Sequence, residues 1–275
     1  MDLNEHNNIY DPFKSTKKMP VLFIGHGSPM NAIEDNEFSK KWKEIGEVLP
    51  KPNAILCVSA HWETRGTLVT AMENPKTIHD FGGFPNELFA VKYPAPGSPG
   101  LAKEIISMIG KTEIRPDETW GLDHGCWSVL KHIYQRADVP VIQMSLDYSQ
   151  SPQYHYELAQ QLSSLRNKGV LIIGSGNMVH NLRMAAWDRL DSTEYGYDWA
   201  IEANEKMKNF ILNGNYQSLI NYKSQGNTFS IAIPTPEHFL PLLYALALKN
   251  EDEKIILFND KVVAGSLSMT SLKII

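Results

Sequence analysis

Two hydrophobic patterns alternate along the chain. Short apolar runs bounded by glycine, proline or polar residues predict buried strands, whereas apolar residues at intervals of three and four predict amphipathic helices. The predicted strands are 20–25, 53–60, 67–72, 140–146, 170–176, 254–259 and 266–274. The predicted helices are 38–49, 99–110, 127–136, 152–168, 198–212 and 236–249. This alternation predicts an α/β sandwich with a central mixed, largely parallel sheet.

Capping residues followed by proline mark the starts of several predicted helices. Ser98-Pro99 and Ser151-Pro152 each combine a preferred N-cap with proline at the first helical position. Thr235-Pro236 repeats the signal and places Glu237 and His238 in the first turn of the last predicted helix. Because no repeat, low-complexity tract or linker interrupts the pattern, we predict one catalytic domain over residues 19–275, preceded by a polar, flexible arm over residues 1–18.

The segment 73–97 lacks any hydrophobic period and is dense in glycine, proline and aromatic residues. A long aperiodic loop inside a compact domain is usually functional or disordered. We expect His79, Phe84 and Tyr93 from this loop to lie beside the site and to enclose the ring of a substrate. The alternative is a loop that packs on the core away from the site.

Histidines recur where predicted strands end. His26, His61 and His180 each follow such a strand, His124 opens a helix, and His238 lies near the start of another. In open α/β sheets, ligands bind beyond the carboxyl ends of the strands. A single histidine in such a place is more often a hydrogen-bonded loop residue, but the whole set predicts convergence on one point.

A cluster of imidazoles suits zinc, iron, copper or nickel. The chain has 2 cysteines, no CxxC pair and no HExxH motif, which disfavours structural zinc modules and zincin proteases. We therefore predict one divalent metal ion per chain, held by three protein ligands with open positions. Such a site can hold zinc with a water molecule, or ferrous iron with substrate and dioxygen.

Composition indicates which partners and which cellular compartment are compatible with this chemistry. The formal net charge is −5, so no basic field exists to attract nucleic acid or an anionic membrane. The longest apolar run, 239–248, is about half of what spans a bilayer. The polar N-terminus lacks the apolar stretch of a signal peptide, and the few cysteines suit a reducing compartment. We expect a cytoplasmic protein that is a monomer or a small homo-oligomer.

Several motifs together resemble one enzyme family. They occur in the order GHGSPM, SAHW, TIHDFGGFP, YPAPGSP, GLDHGCW, GSGNMVHNL and PTPEHFLPLLY. From about Met19 to the C-terminus, the chain resembles the DODA-type class III extradiol ring-cleavage dioxygenases of the LigB-like superfamily. The resemblance implies an α/β core and a non-haem metal site. It also implies insertion of both atoms of O2 into a small catechol such as 3,4-dihydroxyphenylalanine.

The resemblance also implies roles for the histidines. His26, His61 and His238 correspond to the metal ligands, and His124 corresponds to an acid/base residue. His180 corresponds either to a fourth ligand or to a second acid/base residue. Three protein ligands leave three octahedral positions, enough for a bidentate catecholate and O2, so we favour His180 as an acid/base. Histidine suits that role because its ordinary pKa lies near neutrality.

The third ligand departs from the wider superfamily, which uses a glutamate. Here Glu237 and His238 are adjacent, and we predict that His238 binds the metal while Glu237 stays near solvent at the helix N-terminus. Iron(II) is the expected metal for activity, whereas zinc is expected in purified protein because it binds imidazole more tightly. Two alternatives remain at this point, a zinc-dependent hydrolase and a non-enzymatic scaffold of the same superfamily.

Overall fold

A computed structural model describes residues 17–189 and 194–275 of the chain. The strands are β1 (Val21–Gly25), β2 (Ala54–Thr64), β3 (Thr67–Thr70), β4 (Ile114–Asp117), β5 (Val141–Asp147), β6 (Val170–Gly176), β7 (Ile255–Phe258), β8 (Val262–Val263), β9 (Leu267–Ser268) and β10 (Ser271–Ile274). The α-helices are α1 (Glu37–Val48), α2 (Asn86–Phe89), α3 (Pro99–Met108), α4 (His124–Ile133), α5 (Pro152–Gln160), α6 (Asp198–Leu212), α7 (Tyr216–Ile220), α8 (Asn227–Ala232) and α9 (Leu240–Ala247). Short 3-10 helices cover Pro29–Ala32, Ser163–Lys168, Leu182–Met184, Trp187–Arg189 and Tyr222–Ser224.

One mixed sheet of 8 strands forms the centre of the fold, in the order β4-β3-β5-β2-β6-β1-β10-β7. The central strands β5, β2, β6 and β1 run parallel. Antiparallel pairs lie towards the edges, where β10 joins β1 and β7, and β3 joins β5. This sheet confirms the predicted α/β architecture, and its parallel strands bring their carboxyl ends to one edge.

Two apolar layers cover the sheet. In β1, Val21 and Phe23 belong to one layer, whereas Leu22 and Ile24 belong to the other. Helices α5, α6 and α9 pack in the first layer, and α1 and α4 pack in the second. Because both faces are covered, every residue of β1 and β6 is buried, and these strands are continuous apolar runs in the sequence.

The last helix begins later than predicted. Residues 236–239 form a turn, and α9 starts at Leu240. Pro241 explains the difference because proline lacks the backbone N–H that a helix interior requires, so it is tolerated only in the first turn. Glu237 and His238 therefore lie in the turn before α9, which corrects their predicted place in the first turn of a helix.

Other boundaries also differ from the prediction. The helix predicted over 152–168 is α5 followed by a 3-10 helix, and it closes at Gly169, which has a left-handed φ of 76°. The polar edge strand β4 was not predicted because it lacks an apolar run. The predicted N-terminal arm lies, up to residue 16, outside the described residues. Within the described ranges, no helix has the length and apolar character needed to cross a membrane.

Candidate metal centre

Tight backbone turns at the sheet edge position His26. It directly follows β1, and its N–H donates to the carbonyl of Gly176 at the end of β6 (3.0 Å). A Cβ at Gly25 would lie 2.7 Å from the backbone of Met269, and Gly27 has a φ of 60°. The glycines on either side of His26 are therefore required by a close backbone approach and by a left-handed turn.

His61 lies inside β2, which continues to Thr64, and not just beyond the strand as predicted. The register between β2 and β5 shifts between Val58 and Glu63. An irregularity of this kind bends a strand and redirects its side chains. The shift therefore places His61 at the sheet edge without ending the strand.

The remaining histidines come from segments attached to the same edge. His124 is the first residue of α4, whose N-cap is Asp123. His180 lies four residues beyond Gly176, the last residue of β6. The carbonyl of His238 accepts the N–H of Asn177 (2.8 Å), which attaches the turn before α9 to the end of β6.

The five imidazole rings form one cluster. The ring centroid of His26 lies 5.0 Å from that of His61 and 5.5 Å from that of His238. His61 and His238 are 5.0 Å apart, whereas His61 and His124 are only 3.8 Å apart. His180 stacks on His238 at 3.5 Å with an interplanar angle of 7°. The structure thus brings together all five histidines that the sequence singled out.

These separations can be compared with what one shared ion requires. A ligand nitrogen about 2.1 Å from a metal puts its ring centroid about 3.2 Å away, so two ligands at right angles have centroids about 4.6 Å apart. The separations among His26, His61 and His238 all exceed this value. The separations between His61 and His124 (3.8 Å) and between His180 and His238 (3.5 Å) are smaller.

Ligand atoms also approach one another in two groups. Each group offers three atoms within 4.8 Å of one another, and the groups are His26, His61 and His124, and His180, Glu237 and His238. The Nε2 atoms of His26 and His61 are only 3.0 Å apart. Two nitrogens at about 2.1 Å from one ion and at right angles to each other would be about 3.0 Å apart.

Hydrogen bonds fix the tautomer of His26. Its Nδ1 lies 3.0 Å from Ser175 Oγ. That hydroxyl donates its proton to the carbonyl of Gly125 (2.5 Å), so it accepts from His26. Nδ1 of His26 therefore carries the proton, and Nε2 presents a lone pair to His61. A metal ligand needs this arrangement.

Burial keeps these imidazoles neutral. Burial, followed by the neighbouring His61, holds the pKa of His26 well below its ordinary value. Burial and the proximity of His124 lower the pKa of His61 to about 3 and that of His180 to about 4. Burial and His180 likewise lower the pKa of His238. Because metals bind the neutral ring, the cluster is prepared to hold a cation at neutral pH.

Asp80 is a site residue that the sequence analysis missed. Its Oδ2 lies 2.8 Å from His124 Nδ1, and its Oδ1 accepts the backbone N–H of His124 (2.8 Å). Burial alone would raise the pKa of Asp80, but its hydrogen bonds with His124 hold it below the ordinary value. The sequence offered a signal, since Asp80 follows His79 in TIHDFGGFP. An aperiodic loop, however, does not indicate which neighbour faces the site.

A second buried carboxylate, that of Asp123, precedes His124 and caps the N-terminus of α4. Asp123 is fully buried and accepts hydrogen bonds from Ser59 Oγ and Gln143 Nε2, both at 2.7 Å, and from the N–H of Cys126 at 3.1 Å. Burial raises the pKa of Asp123. These bonds join β2, β5 and the N-terminus of α4, so they fix the strand of His61 relative to His124.

The aromatic loop lies next to the cluster, but its residues differ in position. Phe81 packs edge-on against His124 with centroids 5.5 Å apart, and Phe84 packs against Phe81 at 5.4 Å. His79 donates to the carbonyl of Val91 (3.0 Å). Its ring contacts Phe81, which in turn contacts His124, so Phe81 lies between His79 and the cluster.

Tyr93 does not face the cluster. Only 2% of it is exposed, and its hydroxyl donates to the backbone carbonyl of Tyr134 (3.0 Å). Its ring therefore belongs to the core beneath the loop and offers no surface to a substrate.

A cavity of about 810 Å³ lies beside segments that flank the cluster, although none of the five histidines lines it. Ser28, two residues after His26, lines it, as does Leu267, which forms an isolated β-bridge with His180. Phe84 contributes to its wall. The cavity thus lies between the loop that follows β1 and the aromatic loop, and it is large enough for a small aromatic molecule.

Glu237 interacts with its neighbour. One carboxylate oxygen lies 3.1 Å from Nδ1 of His238 and accepts a hydrogen bond from Thr235 Oγ1 (2.9 Å). A carboxylate on Nδ1 directs the opposite nitrogen, Nε2, away from itself. Glu237 therefore orients the ring of His238.

The chain is similar to known dioxygenases over most of its length. The family model described as the catalytic LigB subunit of aromatic ring-opening dioxygenase matches residues 20–269. A 4,5-DOPA dioxygenase extradiol from Escherichia coli (strain K12) is 46% identical over 97% of this chain and 98% of that protein. A protein of the same name from Beta vulgaris is 37% identical over 92% of this chain and 95% of that protein. The crystal structure of an uncharacterized protein from Escherichia coli K12 matches with a TM-score of 0.81 and 40% identity, covering 93% of this chain and 99% of that chain.

Proposed function

Because the chain belongs to the family of the catalytic LigB subunit of aromatic ring-opening dioxygenases, and is itself such a dioxygenase, we propose that it opens a small catechol by extradiol cleavage. In that reaction both atoms of O2 enter the product, and the broken ring bond lies beside the two hydroxyls. The names of the relatives favour a substrate like 3,4-dihydroxyphenylalanine. The family also disfavours the two alternatives left by the sequence, a zinc hydrolase and a scaffold.

The contact between His26 and His61 carries the proposal. The buried His26 and the partly buried His61, both neutral, place their Nε2 atoms 3.0 Å apart, and the hydrogen bonds of Ser175 leave His26 with a lone pair there. We assign His238 as the third ligand because its ring separations from both fit one ion. When bound, a divalent ion would hold the diol oxygens and O2 together and offset their negative charge.

The other two histidines are assigned to proton transfer. We leave His124 and His180 out of the ligand set because their ring separations from His61 (3.8 Å) and from His238 (3.5 Å) are shorter than those among the three assigned ligands. His124 has Nδ1 occupied by Asp80, so Nε2 is free to accept a proton from a catechol hydroxyl. His180, which stacks on His238, can accept the proton of the second hydroxyl and release it later in the reaction.

The surrounding apolar surface is suited to an aromatic ring. Phe81 contacts His124, and Phe84 connects Phe81 with the cavity wall. Aromatic rings favour edge-to-face and offset packing, which orients a catechol as well as excluding water. His79 supports Phe81 from behind, with ring centroids 5.8 Å apart. We therefore propose substrate contact for Phe84 and a supporting role for His79.

Reconstitution with iron tests this function. We expect protein reconstituted anaerobically with Fe(II) to consume O2 when 3,4-dihydroxyphenylalanine or related catechols are added. Zinc-loaded protein should bind one ion per chain but remain inactive. The variant His26→Ala should lose both metal and O2 uptake, whereas His132→Gln should retain both, because His132 lies outside the cluster and bonds to the carbonyl of Asn31. An iron-loaded protein that leaves the whole catechol panel intact would contradict the proposal.

A further inference from the structure

Asp80 holds His124 at two points. One carboxylate oxygen accepts the backbone N–H of His124 and the other lies on its ring Nδ1, both at 2.8 Å. The side chains are largely buried, with 14% of Asp80 and 6% of His124 exposed. Both oxygens of the carboxylate are thus already engaged, so the arrangement serves His124 more directly than it serves a metal ion.

The backbone just before Asp80 is also held in place. The N–H of Ile78 donates to the carbonyl of Leu122 (2.7 Å), and the indole N–H of Trp127 donates to the carbonyl of Ile78 (2.7 Å). These bonds fix the loop to the start of α4, where a helix N-terminus also favours a negative charge. Asp80 therefore reaches His124 from a rigid position.

The proton count determines the state of the ring. An ionised carboxylate has no proton to donate, so the hydrogen bond at Nδ1 requires His124 to supply the proton. The neutral ring then has its lone pair on Nε2, the nitrogen on the opposite side from Asp80. Without this contact, either tautomer of a neutral imidazole would be available.

We propose that Asp80 is a positioning residue that fixes the Nδ1–H tautomer of His124 and thereby makes Nε2 the proton acceptor for the catechol. This inference rests on the proposed function for the step that Nε2 performs, but the tautomer itself is a property of the protein alone. Asp80 Oδ2 lies farther from Nδ1 of His61 (3.4 Å) than from Nδ1 of His124 (2.8 Å), so its closer partner is His124.

The variant Asp80→Asn tests the tautomer. The amide oxygen can still accept the N–H of His124, which leaves the NH2 group facing Nδ1. That group can only donate, so the ring proton should move to Nε2. We expect 15N spectra of zinc-loaded, histidine-labelled protein to show Nδ1–H for His124 in the wild type and Nε2–H in Asp80→Asn. The signals are assigned by their loss in His124→Gln.

Comparing kcat with KM and iron content distinguishes a positioning role of Asp80 from a general loss of structure. In iron-loaded Asp80→Asn, kcat should fall on the order of 100-fold or more, with similar KM for the catechol and similar iron content. Asp80→Ala should be less impaired, because it leaves the tautomer free. Asp147→Asn is the matched control, since that carboxylate also accepts a backbone N–H, from Ser149 (3.0 Å), but lies outside the cluster. It should retain wild-type activity.

Two results would overturn the proposal. One is an Nε2–H tautomer of His124 in the wild-type protein, which is measurable even if the Asp80 variants fail to fold. The other is an unchanged tautomer in folded Asp80→Asn, or loss of its metal, which would make Asp80 part of the metal site. A wild-type enzyme that opens no catechol but shows the expected tautomers would instead contradict the proposed function.

Discussion

The hydrogen bonds of single residues determine what each site histidine can do. His26 and His124 have the same tautomer for different reasons, one through the hydroxyl of Ser175 and the other through the carboxylate of Asp80. A serine leaves its histidine neutral and available to a metal. A carboxylate can also stabilise the protonated ring, which suits a residue that accepts a proton during the reaction.

The third ligand can be identified by a pair of substitutions. We expect His238→Ala to lose metal and turnover, because its ring completes the set whose separations fit one ion. Glu237→Gln should retain most of both, since the amide can still accept a hydrogen bond from His238. Metal content measured after dialysis distinguishes the two. The opposite ranking would restore a glutamate ligand at this position.

At this scale the sequence predicted the histidines but not their partners. His26 and His180 follow apolar runs whose ends are evident in the sequence, so their convergence could be inferred. Asp80 and Ser175 could not be assigned, because side-chain direction in a loop or beyond a buried strand depends on the assembled structure. Tyr93 illustrates the same limit, since its aromatic character indicated a substrate wall but its ring is buried in the core.

Among the elements, the aromatic loop over residues 73–97 has the clearest functional consequence. It was predicted as a loop and is one, apart from the short helix α2. Two of its aromatic rings connect His124 with the cavity, and the backbone N–H of Gly97 at its end donates to the carbonyl of Glu73 (2.7 Å). The loop is therefore closed at its base and packed by its own side chains.

Replacing a ring in this loop should weaken substrate binding. We expect Phe84→Ala to raise KM for the catechol roughly fivefold, from the loss of about 1 kcal/mol of aromatic contact, with little change in kcat. Phe89→Leu is the control, because Phe89 also packs on Phe81 (5.1 Å between centroids) but does not line the cavity. Unchanged KM in Phe84→Ala would place the substrate elsewhere.

Element boundaries were less predictable than element types. The start of α9 follows from Pro241, but Thr235-Pro236 imitates a helix start equally well in the sequence. The extension of β2 through His61 depends on a register shift against β5, which is a property of the pairing and not of either strand. Local signals therefore located His61 and His238, whereas tertiary contacts decided the backbone that carries them.

In the whole molecule, a buried ion pair joins segments distant in the chain. The guanidinium of Arg166 donates hydrogen bonds to both carboxylate oxygens of Glu253. Only 1% of the Arg166 side chain and 7% of the Glu253 side chain are exposed. Arg166 also donates to the carbonyl of Met19 (2.7 Å), and Lys18 pairs with Glu253 (2.9 Å). The pair therefore fastens the start of β1 to the segment before β6 and to the turn after α9.

The pH dependence of stability should reveal this pair. Burial raises the pKa of Glu253, but the hydrogen bonds of Arg166 outweigh it and lower the pKa from 4.5 to about 2. A carboxyl whose pKa is lower in the folded state stabilises the protein above pH 4.5, and this contribution is lost as the pH falls towards 2.

We expect Glu253→Gln to cost about 3 kcal/mol in the free energy of unfolding at neutral pH, because Arg166 keeps a buried charge without its partner. The difference from wild type should shrink as the pH falls through this range. Denaturant titrations at several pH values measure this difference in the free energy of unfolding. The control is Glu205→Gln, which removes a carboxylate on the surface of α6. A difference independent of pH would show that the ion pair is not its source.

The strand order of the sheet illustrates what the sequence leaves open at this scale. Alternating strands and helices predicted parallel central strands, as observed for β5, β2, β6 and β1. The apolar runs near the C-terminus predicted strands but not their neighbours. β10 pairs with β1, so the last strand lies beside the first, a contact between the two ends of the chain that local sequence patterns do not indicate.

The 13C spectrum of the product formed from uniformly 13C-labelled 3,4-dihydroxyphenylalanine by the iron-loaded protein under O2 tests the central claim most directly. Cleavage beside the diol predicts one new aldehyde-type carbon, or its cyclised derivative, and one new carboxylate carbon, with one O2 consumed per ring opened. His26→Ala should leave the aromatic carbons unchanged. Two new carboxylate carbons would show cleavage between the hydroxyls, and an intact aromatic ring with the wild-type protein would contradict extradiol cleavage of this substrate.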